Sequence, residues 1–263
     1  MLFGFDLNQL LLFPIKDDEA RKHFIVGCLI YLAGFFIPIL PWLVTSGYSA
    51  IIIRQVLNGE KPHMVPWDNW EQLFKDGARL FGITLIYSLP LFVLMIFFFL
   101  SFFAVPLLPA LTKGDNNQGL GIGWFIFMLI GMGVSFLVFP LSLAIGLIVP
   151  AAEIHAVAKD DFMAGFRVRE WWPIFRQNWQ GFVVAMAILY ALLTAMSFAM
   201  QFLIITVVLF CLLPLLIPVI SMYSAIIQFA TFAQAYKEGR DKLSVVSAQA
   251  PTTGETDLQI QTS

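Results

Sequence analysis

Charge is scarce in this sequence. Only 12% of its 263 residues are Asp, Glu, Lys or Arg, against about a quarter in ordinary soluble domains. With 59% of residues apolar, a soluble fold would leave large apolar areas facing water, which excludes an ordinary water-soluble domain. The formal net charge of −2 supplies no basic footprint, so no nucleic-acid partner is expected. Cysteine is nearly absent as well: Cys28 and Cys211 have no companion at CxxC or zinc-ligand spacing, which leaves them as small apolar side chains. Histidine is equally rare, and there is no HExxH, GxSxG or P-loop pattern. Asp76, Gly77, Ala78 and Arg79 match only the beginning of the CDP-alcohol phosphotransferase signature; the further spaced aspartates that the signature needs are missing. Catalytic, cofactor-binding and metal sites are therefore not expected, and neither is an enzyme.

What the sequence has instead is long runs without charge: Phe24 to Ile53, Leu80 to Thr112, Asn116 to Ala152 and Gly181 to Tyr236. Each exceeds the roughly 20 residues that a helix needs to cross a bilayer, and the last suffices for two crossings. The expected fold is all-α, a polytopic transmembrane bundle of about five spans, near residues 24–57, 80–111, 119–157, 181–207 and 210–236. Residues 1–23 lack a basic leader and a small-residue cleavage site, so they read as an interfacial segment with Leu10 to Phe13 at the headgroups. Residues 237–263 are expected to form a disordered tail, being polar and poor in apolar bulk from Ser244 onward.

Two loops, 58–79 and 158–180, join these spans and carry most of the tryptophan. In the first, Trp67, Trp70, Leu73, Phe74 and Phe81 recur at near-helical spacing; in the second, Trp171, Phe175 and Trp179 do the same, with Trp172 alongside. Tryptophan is enriched where one ring edge is wet and the rest is apolar, which assigns Trp67, Trp70, Trp171, Trp172 and Trp179 to the membrane interface.

The pentapeptide YSAII occurs at Tyr48–Ile52 and again at Tyr223–Ile227, each time after a proline-punctuated apolar stretch. A looser third version precedes Glu153. Spans 1, 3 and 5 thus read as three parallel copies of one proline-bearing helix, a repeat that builds kinked packing or a hinge. Parallel copies put both Trp loops and the C-terminus on one face with about eleven basic residues against about four opposite, which makes that face cytoplasmic and the N-terminus external. A rival arrangement remains open. If span 1 dips in and returns as a shallow hairpin, the N-terminus joins the basic face and the tally becomes about fourteen to one.

Ionisable and polar groups close to hydrocarbon are costly and kept for a partner or a purpose. Arg54 and Glu153 lie at similar depth on two copies, so an ion pair between them competes with Arg54 snorkelling and Glu153 reaching water. Gln201 and Gln228 read as interhelical hydrogen-bond groups. Glu153, His155, Asp160 and Asp161 read as a solvated helix end rather than a metal site, and Asp68 or Asn69 as the cap of the helix that follows.

At GYSAIIIRQVLNGE, VPWDNWEQLFKDGARLFGITLIYSLP and AAEIHAVAKDDFMAGFRVREWWPIFRQNW the sequence resembles the DUF4013 family of prokaryotic membrane proteins. The positions that carry the likeness are Gly47, Tyr48, Arg54, Gly59, Pro66, Trp67, Asp68, Trp70, Phe74, Gly77, Gly165 and Phe166, with Val65 where the family usually has Leu. It extends over most of the chain, from Ile15 to Tyr236. The resemblance implies a multi-pass protein of the prokaryotic inner membrane and supplies no catalytic residues. The expected role is a non-enzymatic accessory, assembly or scaffold component that contacts membrane lipids and a membrane-protein partner or further copies of itself. A transporter or lipid-handling protein, with a polar cavity between kinked helices, is the alternative. Reporter fusions at Lys242 and in the Trp70 loop are both expected to report cytoplasm; a split result would sink the parallel-repeat arrangement.

Overall fold

The structure, a computed structural model, describes residues 7–37, 39–112, 117–205 and 211–249. All regular elements among them are helical: α1 (Leu7–Leu12), α2 (Asp18–Ala33), α3 (Leu40–Leu57), α4 (Trp70–Thr112), α5 (Asn117–Lys159), α6 (Val168–Gln177), α7 (Trp179–Ile205) and α8 (Leu213–Gln249), with 3-10 turns at Phe13–Ile15 and Met163–Phe166. Four segments are long and apolar enough to cross a membrane: Trp70–Leu100, Gly123–Lys159, Trp179–Phe202 and Leu213–Gln249. α5 passes Pro140 and Pro150 without interruption.

The first apolar stretch behaves differently. It is divided into α2, of 16 residues, and α3, of 18, helices of about 24 and 27 Å against the roughly 30 Å of a hydrocarbon core. The chain leaves α2 at Gly34 and reverses through Ile39, which takes φ 77°. Pro41 sits in the first turn of α3, where its missing N–H costs no helical hydrogen bond. Phe35, Phe36, Ile37, Ile39 and Trp42 are exposed at the tip. Residues 24–57 are therefore a helical hairpin, the arrangement first held as the rival, and not one continuous span.

Contacts at the helix ends fix the direction of each element. The last turn of α3 meets the first turns of α4 through Arg54 and Asp76, the end of α5 meets α4 through Asp160 and Arg79, and Asn178, just before α7, bonds to Ala235 of α8. So α3, α5 and α8 run in one direction, as the repeat requires, with α4 and α7 running back between them. The start of the hairpin joins the same end, because Trp67 Nε1 donates to the His23 carbonyl at 2.9 Å. The N-terminal segment consequently lies on the charged side with Lys16, Arg21 and Lys22, and not opposite it. The proposed headgroup residues Leu10 and Phe13 are buried in the core instead.

That core occupies the charged end of the bundle, around Tyr48, Ile52, Leu73, Ile83, Ile154, Trp171, Phe182 and Phe232. Toward the opposite end the side chains of α4, α5 and α7 turn outward, with Phe97, Phe136 and Phe202 among the exposed ones, as expected for surface in contact with lipid rather than water. α8 continues well beyond residue 237, where a disordered tail was expected. Gly239 is buried, Arg240 donates to the Leu57 carbonyl at 3.1 Å, and Lys242 Nζ donates to Asn178 Oδ1 at 2.6 Å. The remainder of that tail, residues 250–263, lies outside the described residues, as do residues 1–6 of the N-terminal segment.

α3 and α4 cross where each presents a glycine to the other's backbone. A Cβ on Gly47 would collide with the Leu73 carbonyl, and one on Gly77 with the Leu43 carbonyl. Side-chain-free contact of this kind lets two helices approach without competing for hydrocarbon, the usual basis of helix association in lipid. Gly47→Ala and Gly77→Ala are each expected to cost at least about 2 kcal/mol by overpacking. Gly133→Ala, whose Cβ would meet nothing within 4 Å, is expected to leave stability unchanged. Thermal unfolding of the three variants in one detergent tests the crossing; equal behaviour would refute it.

A candidate functional site at the charged end

The same helix ending is used twice. At the end of α3 the Gly59 N–H bonds to the Val56 carbonyl and the Glu60 N–H to the Gln55 carbonyl; at the end of α5 the Asp160 N–H bonds to Val157 and the Asp161 N–H to Ala156. This double closure needs a left-handed residue after the helix. Gly59 supplies it at φ 86° and Asp160 at φ 51°. Aspartate tolerates that region less well than glycine, but its carboxylate is needed here: Asp160 Oδ1 accepts from Arg79 Nη1 at 2.7 Å and from Arg54 Nη2 at 3.2 Å.

Behind Asp160 lies Asp76, whose side chain is entirely removed from solvent. It accepts a two-pronged bond from Arg54, one arm at 3.0 Å, together with Arg79 Nη1 at 3.2 Å and Gln72 Nε2 at 2.9 Å. Two guanidinium groups and two carboxylates thus balance across α3, α4 and the end of α5. A bidentate pair between planar groups is the strong form of such a contact. Removing one partner of a buried pair typically costs about 3–5 kcal/mol, because the other charge is left uncompensated.

Glu153 is not part of this cluster. Its side chain is buried, and it accepts a hydrogen bond from the Thr84 hydroxyl. An Arg54–Glu153 pair does not form because α4 intervenes, offering Thr84 to Glu153 at one level and Asp76 to Arg54 about two turns nearer the rim. Arg54 neither snorkels alone nor does Glu153 reach water. The aspartate that completes the cluster was visible in the sequence as Asp76 and Arg79 at i, i+3 directly before a charge-free run, a pattern dismissed with the phosphotransferase signature. On the other side of α5, His155 Nδ1 lies 2.6 Å from the Tyr236 hydroxyl and Nε2 lies 3.2 Å from Glu170 Oε2. These bonds join α5, α8 and α6. Among the described residues no three His, Cys, Asp or Glu side chains converge as metal ligands would.

The two glutamines are placed apart from the cluster. Gln228 is half-buried on α8. Gln201 lies 22 residues beyond Trp179 on α7, about 33 Å away, so the two mark opposite interfaces of the bilayer. With Ser197 and Ser221, Gln201 lines a cavity of 350 Å³ between α7 and α8. Three others lie beside α2 and α3: one of 330 Å³ between Asp17 and Lys61, an apolar one of 250 Å³ between Cys28 and Pro218, and one of 220 Å³ beside Tyr31 and Trp42. Arg54, Glu153 and Gln228 line none of these four.

The tryptophans divide into two sets. Trp70, Trp172 and Trp179 are exposed, whereas Trp67 and Trp171 are buried. Trp67 stacks on Tyr48 with ring centroids 4.0 Å apart, and the Tyr48 hydroxyl both donates to the Val65 carbonyl and accepts from the Val65 N–H. Trp171 Nε1 donates to the Gly165 carbonyl, which also receives the Tyr87 hydroxyl. These two rings fasten the loops to the bundle instead of resting in lipid, and Trp67 precedes its helix, which Asn69 caps through the Gln72 N–H. The repeated tyrosine acts alike in both copies: the Tyr223 hydroxyl donates to the Leu11 carbonyl at 2.8 Å, again holding a segment outside the spans.

A family model described as "Protein of unknown function (DUF4013)" matches residues 30–205. That range contains the α3–α4 crossing, both loops and the whole arginine–aspartate cluster. No curated protein and no solved structure matches the chain.

Hydrogen bonding and charge from Arg79, with Arg54 adding to them, hold the Asp160 carboxyl below its ordinary value of 3.8. A depressed folded-state value means that Asp160 contributes stability above about pH 4, and that this is lost as the pH falls through the lowered value. The thermal midpoint of the wild type in detergent is therefore expected to drop more steeply below pH 4 than that of Asp160→Asn. Parallel curves for the two proteins would remove Asp160 from the clamp.

Proposed function

The chain belongs to the DUF4013 family, and we propose that it is a non-enzymatic scaffold or assembly component of a prokaryotic inner membrane, its charged end cytoplasmic. The observation that carries this reading is how the polar groups are used. Arg54, Asp76, Arg79 and Asp160 bind one another, Gln55 accepts the His63 N–H, and Asn178 is held by Ala235 and Lys242. Each joins one element of the chain to another. A transport or reaction site would instead turn the buried charged groups toward a space that a substrate could enter, and Arg54, Asp76, Arg79 and Glu153 line none of the four cavities described above.

The cytoplasmic assignment is supported by the gathering of Lys and Arg from the N-terminal segment, both loops and the end of α8 at one end. The scaffold reading draws further support from the exposed apolar faces of α4, α5 and α7, which one copy of the chain leaves open to lipid or to another membrane helix. Cross-linking in the native membrane, followed by purification in mild detergent, is expected to yield a stoichiometric membrane-protein partner or a defined homo-oligomer. Recovery of lipid-bound monomer alone would overturn the reading. Transport that Arg54→Ala abolishes while the protein remains inserted would replace it with the transporter alternative.

A further inference from the structure

Helix α6 lies between the second 3-10 turn and the start of α7, and its two faces differ sharply. Trp171 and Ile174 are buried against the body, and Asn178 closes the helix with its amide on the Ala235 carbonyl at 2.8 Å. Arg169, Trp172 and Arg176 follow at steps of three and four along the opposite, exposed face; past the break at Asn178, Trp179 is exposed as the first residue of α7. The Trp172 ring is held in place, stacked on Phe175 with centroids 5.3 Å apart and set edge-on to Trp171 at 6.1 Å.

Neither Arg169 nor Arg176 has an ion-pair or hydrogen-bond partner among the described residues, although acids are close by. Glu170 is engaged by His155 at 3.2 Å and by Arg167 at 3.6 Å, and Asp161 by Arg167 at 2.9 Å. The two guanidinium groups therefore stand unpaired beside two exposed tryptophans. The stripe lies next to apolar chain, because Trp179 opens the helix of a candidate membrane span and no charged residue follows Arg176 until Lys237. At that level indole rings sit among headgroups, and a planar guanidinium binds a phosphate with two parallel hydrogen bonds.

We propose that the Arg169, Trp172, Arg176 and Trp179 stripe is a binding site for the phosphate headgroup of an anionic phospholipid. Charge selects an anionic lipid over a zwitterionic one, the tryptophans hold its glycerol and upper acyl region, and the buried face of α6 keeps the site preformed. This specifies the lipid contact contained in the scaffold reading, yet it requires only that the charged end lie at a membrane surface. It can therefore fail while that reading stands, and stand if no protein partner is found.

The test uses the delipidated full-length protein in a non-ionic detergent, titrated with phosphatidylglycerol or phosphatidylcholine, with bound lipids counted by native mass spectrometry. Wild type is expected to prefer phosphatidylglycerol. Arg169→Gln with Arg176→Gln should weaken that binding by about 30-fold, the combined effect of two cations near an anionic surface. Lys16→Gln with Lys61→Gln removes the same charge from the cavity beside α2, which no residue of α6 lines, and should leave the preference intact, and Arg169→Lys with Arg176→Lys should restore part of it. Equal binding of both lipids by wild type would overturn the proposal. So would an equal loss in the Lys16/Lys61 control, or an unchanged preference in an Arg169/Arg176 variant whose helical circular dichroism matches wild type.

Discussion

A carboxylate withdrawn wholly from water is the constraint on which the charged end is built. Asp76 is buried with Arg79 of its own helix and Arg54 of α3 reaching it together, and Arg54 does so where α3 and α4 lie almost backbone to backbone. Gly47 and Gly77 permit that distance. The glycine crossing and the ion cluster are therefore one device: the first brings the helices close enough, and the second makes any other register of the pair leave a charge unmatched. Asp160 extends the device to α5 at the cost of a left-handed aspartate, so the position that ends the helix also locks it to its neighbour.

The surrounding contacts follow the same economy. Several large polar side chains take hold of another segment's backbone: Tyr48 of the first loop, Tyr223 of the N-terminal turn, Trp171 and Tyr87 of the second loop. None of these bonds lies in the half of the bundle where α4, α5 and α7 expose their apolar faces. Water-filled sites in membrane proteins tend to sit at mid-depth between discontinuous helices. Here the discontinuous helices, α2 and α3, form a hairpin whose tip carries Phe, Ile and Trp rather than groups that could coordinate a substrate.

The class of the fold was legible from hydropathy alone, since uninterrupted apolar runs above 20 residues leave few alternatives. The repeat was legible too, and the shared hydrogen-bonding role of Tyr48 and Tyr223 gives the repeated pentapeptide a physical meaning. The division of the first run was not. Gly34 and Pro38 signal a break, but whether the chain then continues or reverses depends on Ile39, whose positive φ no propensity for isoleucine would suggest. Trp67 was misplaced because helical spacing identifies a shared face only inside one helix, and Trp67 precedes α4; Trp171 lies on the face of α6 turned to the body, where the Gly165 carbonyl takes its N–H. The partner of Arg54 was missed for a further reason. Depth along two parallel helices was compared without the antiparallel helix that separates them, and that helix carries both Asp76 and Thr84.

The cluster also has an order in time. A ribosome delivers Arg54, Asp76 and Arg79 well before Asp160, which is 81 residues beyond Arg79. Until the end of α5 is made, the part of the cluster already present holds two guanidinium groups and one carboxylate, an excess positive charge. Arrival of Asp160 then cancels that charge and closes the site. The same four side chains are thus unbalanced in the partial chain and, once Asp160 is in place, fasten three helices together.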